Sequence, residues 1–424
     1  MKKTIRFTVF IVMLSLLSAI FTGCDFNELR VMDSLQKNNE IKSMESSTEL
    51  KMSMDLIGAS EEELQEASQM LSLVNNSSIT INQKTQQDKE KIKGQVDLNI
   101  DLGGMITNTS VWVDADTSID NFKLKEIIKL PPILMMSMPE EDMEKEYLVL
   151  DFEELMQEVN EERSQEENID MSQLRDLVKF NNEFKKKFNE FLKEFAKDLD
   201  FDEKIIKYKG IDRVDGASVK VYELKIDDKT FKRFIKQVAY ALIESDSSKE
   251  LLHEYFTYIE ESIGNIDSAN PEELEELKGY SELFNEGISK EEKEELLKNI
   301  DEVFESFKDI QIIGEKGIVI QLKINKKGYI VNTSGNINIA FDAEAFNDYS
   351  NEGEDILVEQ ETIPTMDINI EFDSKITNIN KDIYIKFPKT TSDNSINYME
   401  LMKAEQEPRL EDTSDSINIE NGQE

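Results

Sequence analysis

The sequence predicts an α+β protein whose main sheet is mostly antiparallel and has about eleven strands. The first observation is a strict alternation of apolar and polar residues, which is typical of strands with one buried and one solvated face. The second is the short turns between alternating segments, which join neighbouring strands as hairpins. The third is the order of the elements. Strands and amphipathic helices come in separate blocks, which favours α+β over α/β.

Four segments carry the clearest alternation. Their apolar rows run from Leu50 to Leu56, from Val96 to Leu102, from Ile318 to Ile324 and from Met366 to Phe372. Weaker alternation predicts the remaining strands near 77–85, 107–116, 122–130, 204–211, 217–226, 329–342 and 379–387. The turns "NKKG" at 325–328 and "NINKD" at 378–382 are then expected to close two hairpins.

Helical periodicity occupies the other blocks. Residues 25–42 predict a first amphipathic helix, and residues 228–245 and 248–263 repeat apolar positions at the same spacing. Ser289 and Glu292 form a capping box that opens a further helix. Asn270-Pro271 indicates another helix start. A long phenylalanine-rich helix contains Leu177, Phe180, Phe184, Phe188, Phe191 and Phe195 along one stripe.

The N-terminus indicates export. Lys2 and Lys3 precede an apolar run that ends at Phe21 and is shorter than the ~20 residues of a membrane span. "FTGC" resembles the bacterial lipobox, in which the cysteine, here Cys24, is lipidated and becomes the mature N-terminus. The lipobox prefers Leu where Phe21 stands, so an ordinary signal peptide or an uncleaved anchor is the alternative. Cys24 is the only cysteine, which excludes disulfides.

Acidic residues dominate the composition. The chain has 89 Asp and Glu against 49 Lys and Arg, a formal net charge of −40. This balance disfavours nucleic acid as a partner and disfavours general attraction to anionic lipid surfaces. We predict a signal peptide at 1–23, a body at 24–388 with helical insertions near 152–200 and 229–308, and a disordered acidic tail at 389–424.

Catalytic motifs are sparse. His253 is the only histidine, so a two-histidine metal site cannot form, and its place in "KELLHEYF" favours a structural role on a helix. The run 198–202 begins like a calcium loop, but Glu203 stands where glycine is required and Lys209 where glutamate is required. We predict a protein that is not an enzyme and has no metal or cofactor. A glycosidase that uses two carboxylates stays open as the alternative.

Three segments resemble lipoproteins of Gram-positive, clostridia-like bacteria: "IKSMESSTELKMSMDLIG", "SVWVDADTSIDNFKLKEIIKLPPIL" and "VKVYELKIDDKTFKRFIKQV". Over most of residues 25–388, the arrangement of elements is similar to the LolA/LppX-like lipoprotein fold. That resemblance implies a strongly curved half-barrel with helices packed on its concave face. It also implies an apolar hollow that carries lipids, while the lipobox resemblance implies a lipid anchor on Cys24 at the outer face of the cytoplasmic membrane. No binding residue of the family transfers, because its function depends on a cavity and not on a motif.

Two functions remain open at this level. If the helices leave part of the concave face uncovered, a lipid-like ligand can bind there, and methionine side chains adapt well to variable acyl chains. The residues predicted to line such a pocket are Met52, Met54, Leu98, Ile100, Phe184 and Phe188. If the helices fill the face, the protein is a structural or protein-interaction module of the cell surface, with an unspecified partner.

Overall fold

The computed structural model describes residues 26–118, 122–136, 138, 142–155, 205–264, 289–342 and 364–398, together with positions 180, 183, 184, 187, 188, 191, 278, 279, 281 and 282. Several predictions therefore concern residues outside the described part. They include the signal peptide with Cys24, Leu177 and Phe195 of the phenylalanine stripe, the run 198–202, the helix start at Asn270 and the tail beyond Tyr398.

Twelve strands form one sheet. They are β1 (Ser43–Ile57), β2 (Ser77–Asp88), β3 (Lys91–Leu102), β4 (Met105–Asp116), β5 (Lys123–Lys129), β6 (Tyr147–Asp151), β7 (Ile206–Val214), β8 (Ala217–Ile226), β9 (Ile313–Asn325), β10 (Ile330–Phe341), β11 (Thr365–Thr377) and β12 (Ser395–Asn397). Their spatial order is β12-β6-β5-β4-β3-β2-β1-β11-β10-β9-β8-β7.

The sheet is mostly antiparallel and open. All neighbouring strands are antiparallel except β12, which pairs with β6 in parallel. The terminal strands β12 and β7 do not pair with each other, and β7 carries a bulge between Tyr208 and Gly210. The predicted α+β class with a large antiparallel sheet is confirmed, and the open sheet is consistent with a half-barrel.

The described helices are α1 (Phe26–Asn39), α2 (Glu61–Asn75), α3 (Pro132–Met135), α4 (Asp228–Glu244), α5 (Asp246–Gly264) and α6 (Lys290–Ser306). The predictions for α1, α4, α5 and α6 are confirmed within a few residues at each end. The capping box predicted at the start of α6 is present, because Ser289 and Glu292 exchange hydrogen bonds. The predicted hairpin at 325–328 is also confirmed, since Asn325 ends β9 and Ile330 begins β10.

Helix α2 was not predicted. Glu63 N–H donates to Ser60 Oγ at 3.3 Å, and Ser60 N–H donates to Glu63 Oε2 at 2.6 Å, so a capping box opens the helix. None of its side chains is buried. At its end, Asn75 accepts from Met54 N–H at 2.6 Å and donates to Met54 O at 3.1 Å. These two bonds hold α2 beside the part of β1 that extends past its pairing with β2.

The predicted strand at 379–387, with its hairpin at 378–382, is wrong. After β11 the chain turns through Asn378 and Asn380, both in the left-handed region, and residues 382–390 have no regular structure. This segment runs over the sheet, where Ile385 and Phe387 pack against a small core of Trp112, Ile127 and Val149. The alternation in "DIYIKFP" thus comes from an extended chain with one buried side, which does not require pairing with a neighbouring strand.

The chain continues from this segment, which we call the strap (379–394), into the edge strand β12. The predicted tail began at 389, but residues 395–397 pair with 147–149 of β6. Strand β6 itself was not predicted, and its five residues are too few for a clear alternation.

The register of the antiparallel pairs defines two faces of the sheet. Residues opposite each other in an antiparallel pair point to the same side. One such row crosses seven strands through Ile100, Ile79, Leu50, Phe372, Gly335, Ile320 and Leu224. We call this side the inner face and the side that carries Trp112 and the strap the outer face.

The main core covers the inner face of β7–β9. Helix α4 buries Phe231, Phe234, Ile235 and Val238 against these strands. Asp227 caps the helix by accepting from Thr230 N–H at 2.8 Å. Hydrogen bonds from the side chain and then the backbone of Thr230 hold the pKa of that carboxyl below its ordinary value. We call this part of the inner face, which α4 covers, the closed half.

Candidate functional site

The inner face of β1–β3 is built from the same alternation as the closed half but is not buried. Its apolar side chains are Leu50, Met52, Met54, Leu56, Ile79, Ile81, Val96, Leu98, Ile100 and Leu102, and every one is half-buried or exposed. Met52 exposes 39% of its surface, whereas Leu224 in the closed half exposes 1%. We call the inner face of β1–β3 the open half.

The open half ends in an exposed apolar group at one end of the sheet. Leu102 and Met105 lie opposite each other at the β3–β4 turn and expose 42% and 62% of their surfaces. Helix α2 reaches the same turn, since a Cβ atom on Gly103 would lie 3.5 Å from Leu73 Cδ2. We call this group the mouth of the open half. Its members are Leu73, Leu102 and Met105.

Four of the six predicted ligand-binding residues lie in the open half. Met52 and Met54 come from β1, and Leu98 and Ile100 from β3. Leu50 of β1 and Ile79 of β2 lie between the two pairs, because Leu50 faces Ile79 and Ile79 faces Ile100, whereas Met52 faces Ser77. The four predicted residues therefore share one face of the sheet, and Leu50 and Ile79 connect them.

Phe184 and Phe188 are placed elsewhere. Their rings stack on each other with centroids 5.9 Å apart, and both pack against the main core of the closed half. Tyr255 of α5 contacts Phe184 at a centroid distance of 5.6 Å, and Phe180 stacks on Tyr258 at 3.9 Å. The phenylalanine stripe thus packs on α5 and the core, so we do not include it in the candidate site.

The mouth was not predicted as part of the site. The sequence signal for it is the "SEEE" capping box, which indicates that a helix lies between β1 and β2 in the chain. The same box places Glu61, Glu62 and Glu63 in the first turn of α2. Hydrogen bonds from the Ser60 backbone and side chain lower the pKa of Glu63, so this carboxylate stays charged. The first turn of α2, at the opposite end of the helix from Leu73, is therefore acidic.

His253 does not form a catalytic pair with the nearest serine. Its Nδ1 lies 3.0 Å from the carbonyl oxygen of Ser281 and 3.5 Å from Ser281 Oγ. A carbonyl oxygen only accepts, so Nδ1 carries the proton and cannot take one from the serine hydroxyl. Thr257 Oγ1, at 2.7 Å, completes the contacts of Ser281 Oγ. The arrangement ties α5 to the chain near Ser281.

The described residues contain no group of three or more His, Cys, Asp or Glu side chains placed to hold a metal ion. Among them, no helix has both the length and the apolarity needed to cross a bilayer.

The open half is an accessible apolar surface and not an enclosed cavity. It offers dispersion contacts and removal of apolar groups from water, and its backbone is already paired within the sheet. Such a surface can bind an elongated apolar group along the strands without changing it chemically. Comparison with known proteins adds no assignment, since no protein-family model matches the chain and a search of curated proteins finds no similar sequence.

Proposed function

We propose that this protein is a lipoprotein, anchored through Cys24 at the outer face of the cytoplasmic membrane, that binds an acyl chain or a similar apolar group on its open half. The observation that carries the proposal is the contrast between the two halves of one face. The same apolar alternation is buried by α4 in the closed half and left accessible in the open half. Monomeric proteins rarely expose a large contiguous apolar patch unless it contacts a partner or ligand.

The expected affinity follows from the geometry. Each CH₂ group removed from water contributes about 0.8 kcal/mol, and an open surface covers only one side of an acyl chain. If about ten CH₂ groups lose half of their hydration, the gain is ~4 kcal/mol before the cost of immobilising the chain. We therefore expect weak, reversible binding, which suits a protein that takes up and releases its ligand.

The anchor is tested separately from the ligand. Wild type and Cys24→Ser are expressed in a bacterium that processes lipoproteins, and cells are fed an alkyne fatty acid. We expect label and membrane association in the wild type and neither in Cys24→Ser, because the thiol is the acceptor of the lipid. Equal labelling and membrane retention of the variant would rule out Cys24 as the anchor.

The ligand is tested with the unlipidated Cys24→Ser protein and a fluorescent fatty acid. We expect saturable binding that the double variant Leu98→Gln, Ile100→Gln weakens by about tenfold or more, because two apolar contacts with the ligand become polar. Tyr384→Gln is the matched control, since this exposed side chain lies on the strap at the outer face. Circular dichroism checks that all variants stay folded.

The second candidate function is a protein-interaction module, and the acidic first turn of α2 beside β1 favours it. An apolar surface together with a separate acidic helix end suits a partner with apolar and basic side chains. Organic extraction of the purified protein followed by mass spectrometry separates the two functions. If no lipid is bound, and if wild type and the double variant Leu98→Gln, Ile100→Gln bind the fatty acid equally, the ligand-binding function is rejected. The protein-interaction function then remains.

A further inference from the structure

A second concave site lies between α1 and the ends of β8 and β9, away from the mouth. It has a volume of about 470 Å³. Its lining includes Arg30, Asp33 and Lys37 from α1, Lys220 from β8 and Lys326 from the β9–β10 turn. We call it the cationic cleft. Four of these five side chains carry a positive charge, in a chain whose formal net charge is −40.

The cleft is held in place by the contacts of α1. Asn38 donates to Ile330 O at 3.1 Å and accepts from Ile330 N–H at 2.9 Å. Lys37 Nζ donates to Lys327 O at 2.5 Å and lies 5.4 Å from the centre of the Tyr329 ring. Val31 of α1 is fully buried in the main core. One wall of the cleft is therefore fixed to both the turn and the core.

The charged side chains that line the cleft determine which ions it attracts. The Debye length is about 8 Å at physiological ionic strength, so distant carboxylates are largely screened and nearby lysines dominate. Lys220 and Lys326 make no hydrogen bond or ion pair with the residues that the structure describes. Their ammonium groups are therefore available to an anion entering the cleft.

The lining also defines the class of anion. Beside the charged groups, the cleft is lined by Val219, Tyr222 and Ile324, which are apolar or aromatic. A small inorganic ion would not use these contacts, whereas a phosphate ester joined to a glycerol or acyl group would use both. Lysine is a common ligand of phosphate groups.

The position of α1 brings the cleft near the membrane. Arg30 follows Cys24 by six residues, which span at most about 20 Å when extended. We propose that the cationic cleft binds the phosphate of an anionic phospholipid headgroup. The expected location at the membrane rests on the anchor proposed above, but the phosphate site itself does not depend on the open half.

Binding is measured with the unlipidated Cys24→Ser full chain, so that the anchor does not contribute. The protein is floated with vesicles of phosphatidylcholine alone and with vesicles that also contain phosphatidylglycerol. We expect binding only to the second kind. Lys220→Gln, Lys326→Gln should weaken it about 25-fold, since each lysine near an anionic surface contributes a factor of about five.

The control variant is Lys129→Gln, Lys207→Gln, which removes the same charge from exposed positions outside the cleft. We expect it to bind like the parent. Titration with glycerol phosphate and with inorganic phosphate shows whether the free anion is sufficient for binding or the lipid surface is needed. Either result supports a phosphate site if the cleft variant binds more weakly than the parent. Equal binding by parent and cleft variant in every arm would overturn the proposal. Fatty-acid binding, measured in parallel, should stay unchanged in the cleft variant.

Discussion

Leu224→Ala is expected to lower the free energy of unfolding by about 3–5 kcal/mol, whereas Leu98→Ala should lower it by only about 1 kcal/mol. Both leucines lie on the inner face of the same sheet. Leu224 exposes 1% of its surface under α4, so its truncation leaves a cavity in the main core. Leu98 is half-buried in the open half, so water already reaches part of it. The difference between the two variants therefore measures how much more of the inner face is buried in the closed half than in the open half.

Urea unfolding followed by circular dichroism and by tryptophan fluorescence provides the free energies. Trp112 packs with Ile127 and Val149 on the outer face, so its fluorescence reports on the side of the sheet opposite both substitutions. Coincident transitions by the two methods support analysis as a two-state process. If Leu98→Ala cost as much as Leu224→Ala, the open half would be packed in solution and the proposed ligand surface would not exist.

Gly335→Ala is expected to destabilise the protein by about 2–3 kcal/mol or more. Gly335 lies in the middle of β10, with Phe372 and Ile320 opposite it on the flanking strands. A Cβ atom would lie 2.0 Å from Val319 O and 2.9 Å from Ile320 Cα. Both of these are backbone atoms, so the sheet itself must move to accommodate a methyl group. The glycine is thus required by the close approach of β9.

Gly94→Ala is the matched control because Gly94 also lies inside a strand. A Cβ atom there would lie 3.9 Å from Lys84 O and 4.0 Å from Val113 Cβ, which is ordinary contact. We expect this change to raise stability by about 0.5 kcal/mol, since alanine has less freedom to lose on folding. Thermal and urea unfolding of the two variants should shift in opposite directions. A neutral Gly335→Ala would show that β9 and β10 are not as close as the structure places them.

Alternation was sufficient to predict most of the sheet because nearly every strand has one apolar face and one polar face. The prediction failed where the alternation has a cause other than strand pairing. The strap carries the pattern because Ile385 and Phe387 contact the core around Trp112, although no strand pairs with it. Conversely, β12 has only three residues, Ser395–Asn397, too few to show any period.

The candidate site was predictable in part for a similar reason. Period two places Met52, Met54, Leu98 and Ile100 on the apolar side of their strands, and the register confirms that they share a face. Period 3.6 places Phe184 and Phe188 on one side of a helix but does not tell which part of the sheet that side covers. That depends on the packing of α5, whose Tyr255 contacts Phe184. The cationic cleft joins residues about 290 positions apart, a proximity that only the fold creates.

The two edge strands of the open sheet affect the solubility of the protein. An unpaired strand edge is a template for another chain, and long flat edges lead to aggregation. Here one end is the three-residue strand β12 and the other is β7, which is bulged at Tyr208–Gly210 and carries Lys207, Lys209 and Arg213. Neither edge offers a long, straight ladder to a second molecule. Copies of the protein at high concentration can thus stay separate without closing the sheet into a barrel.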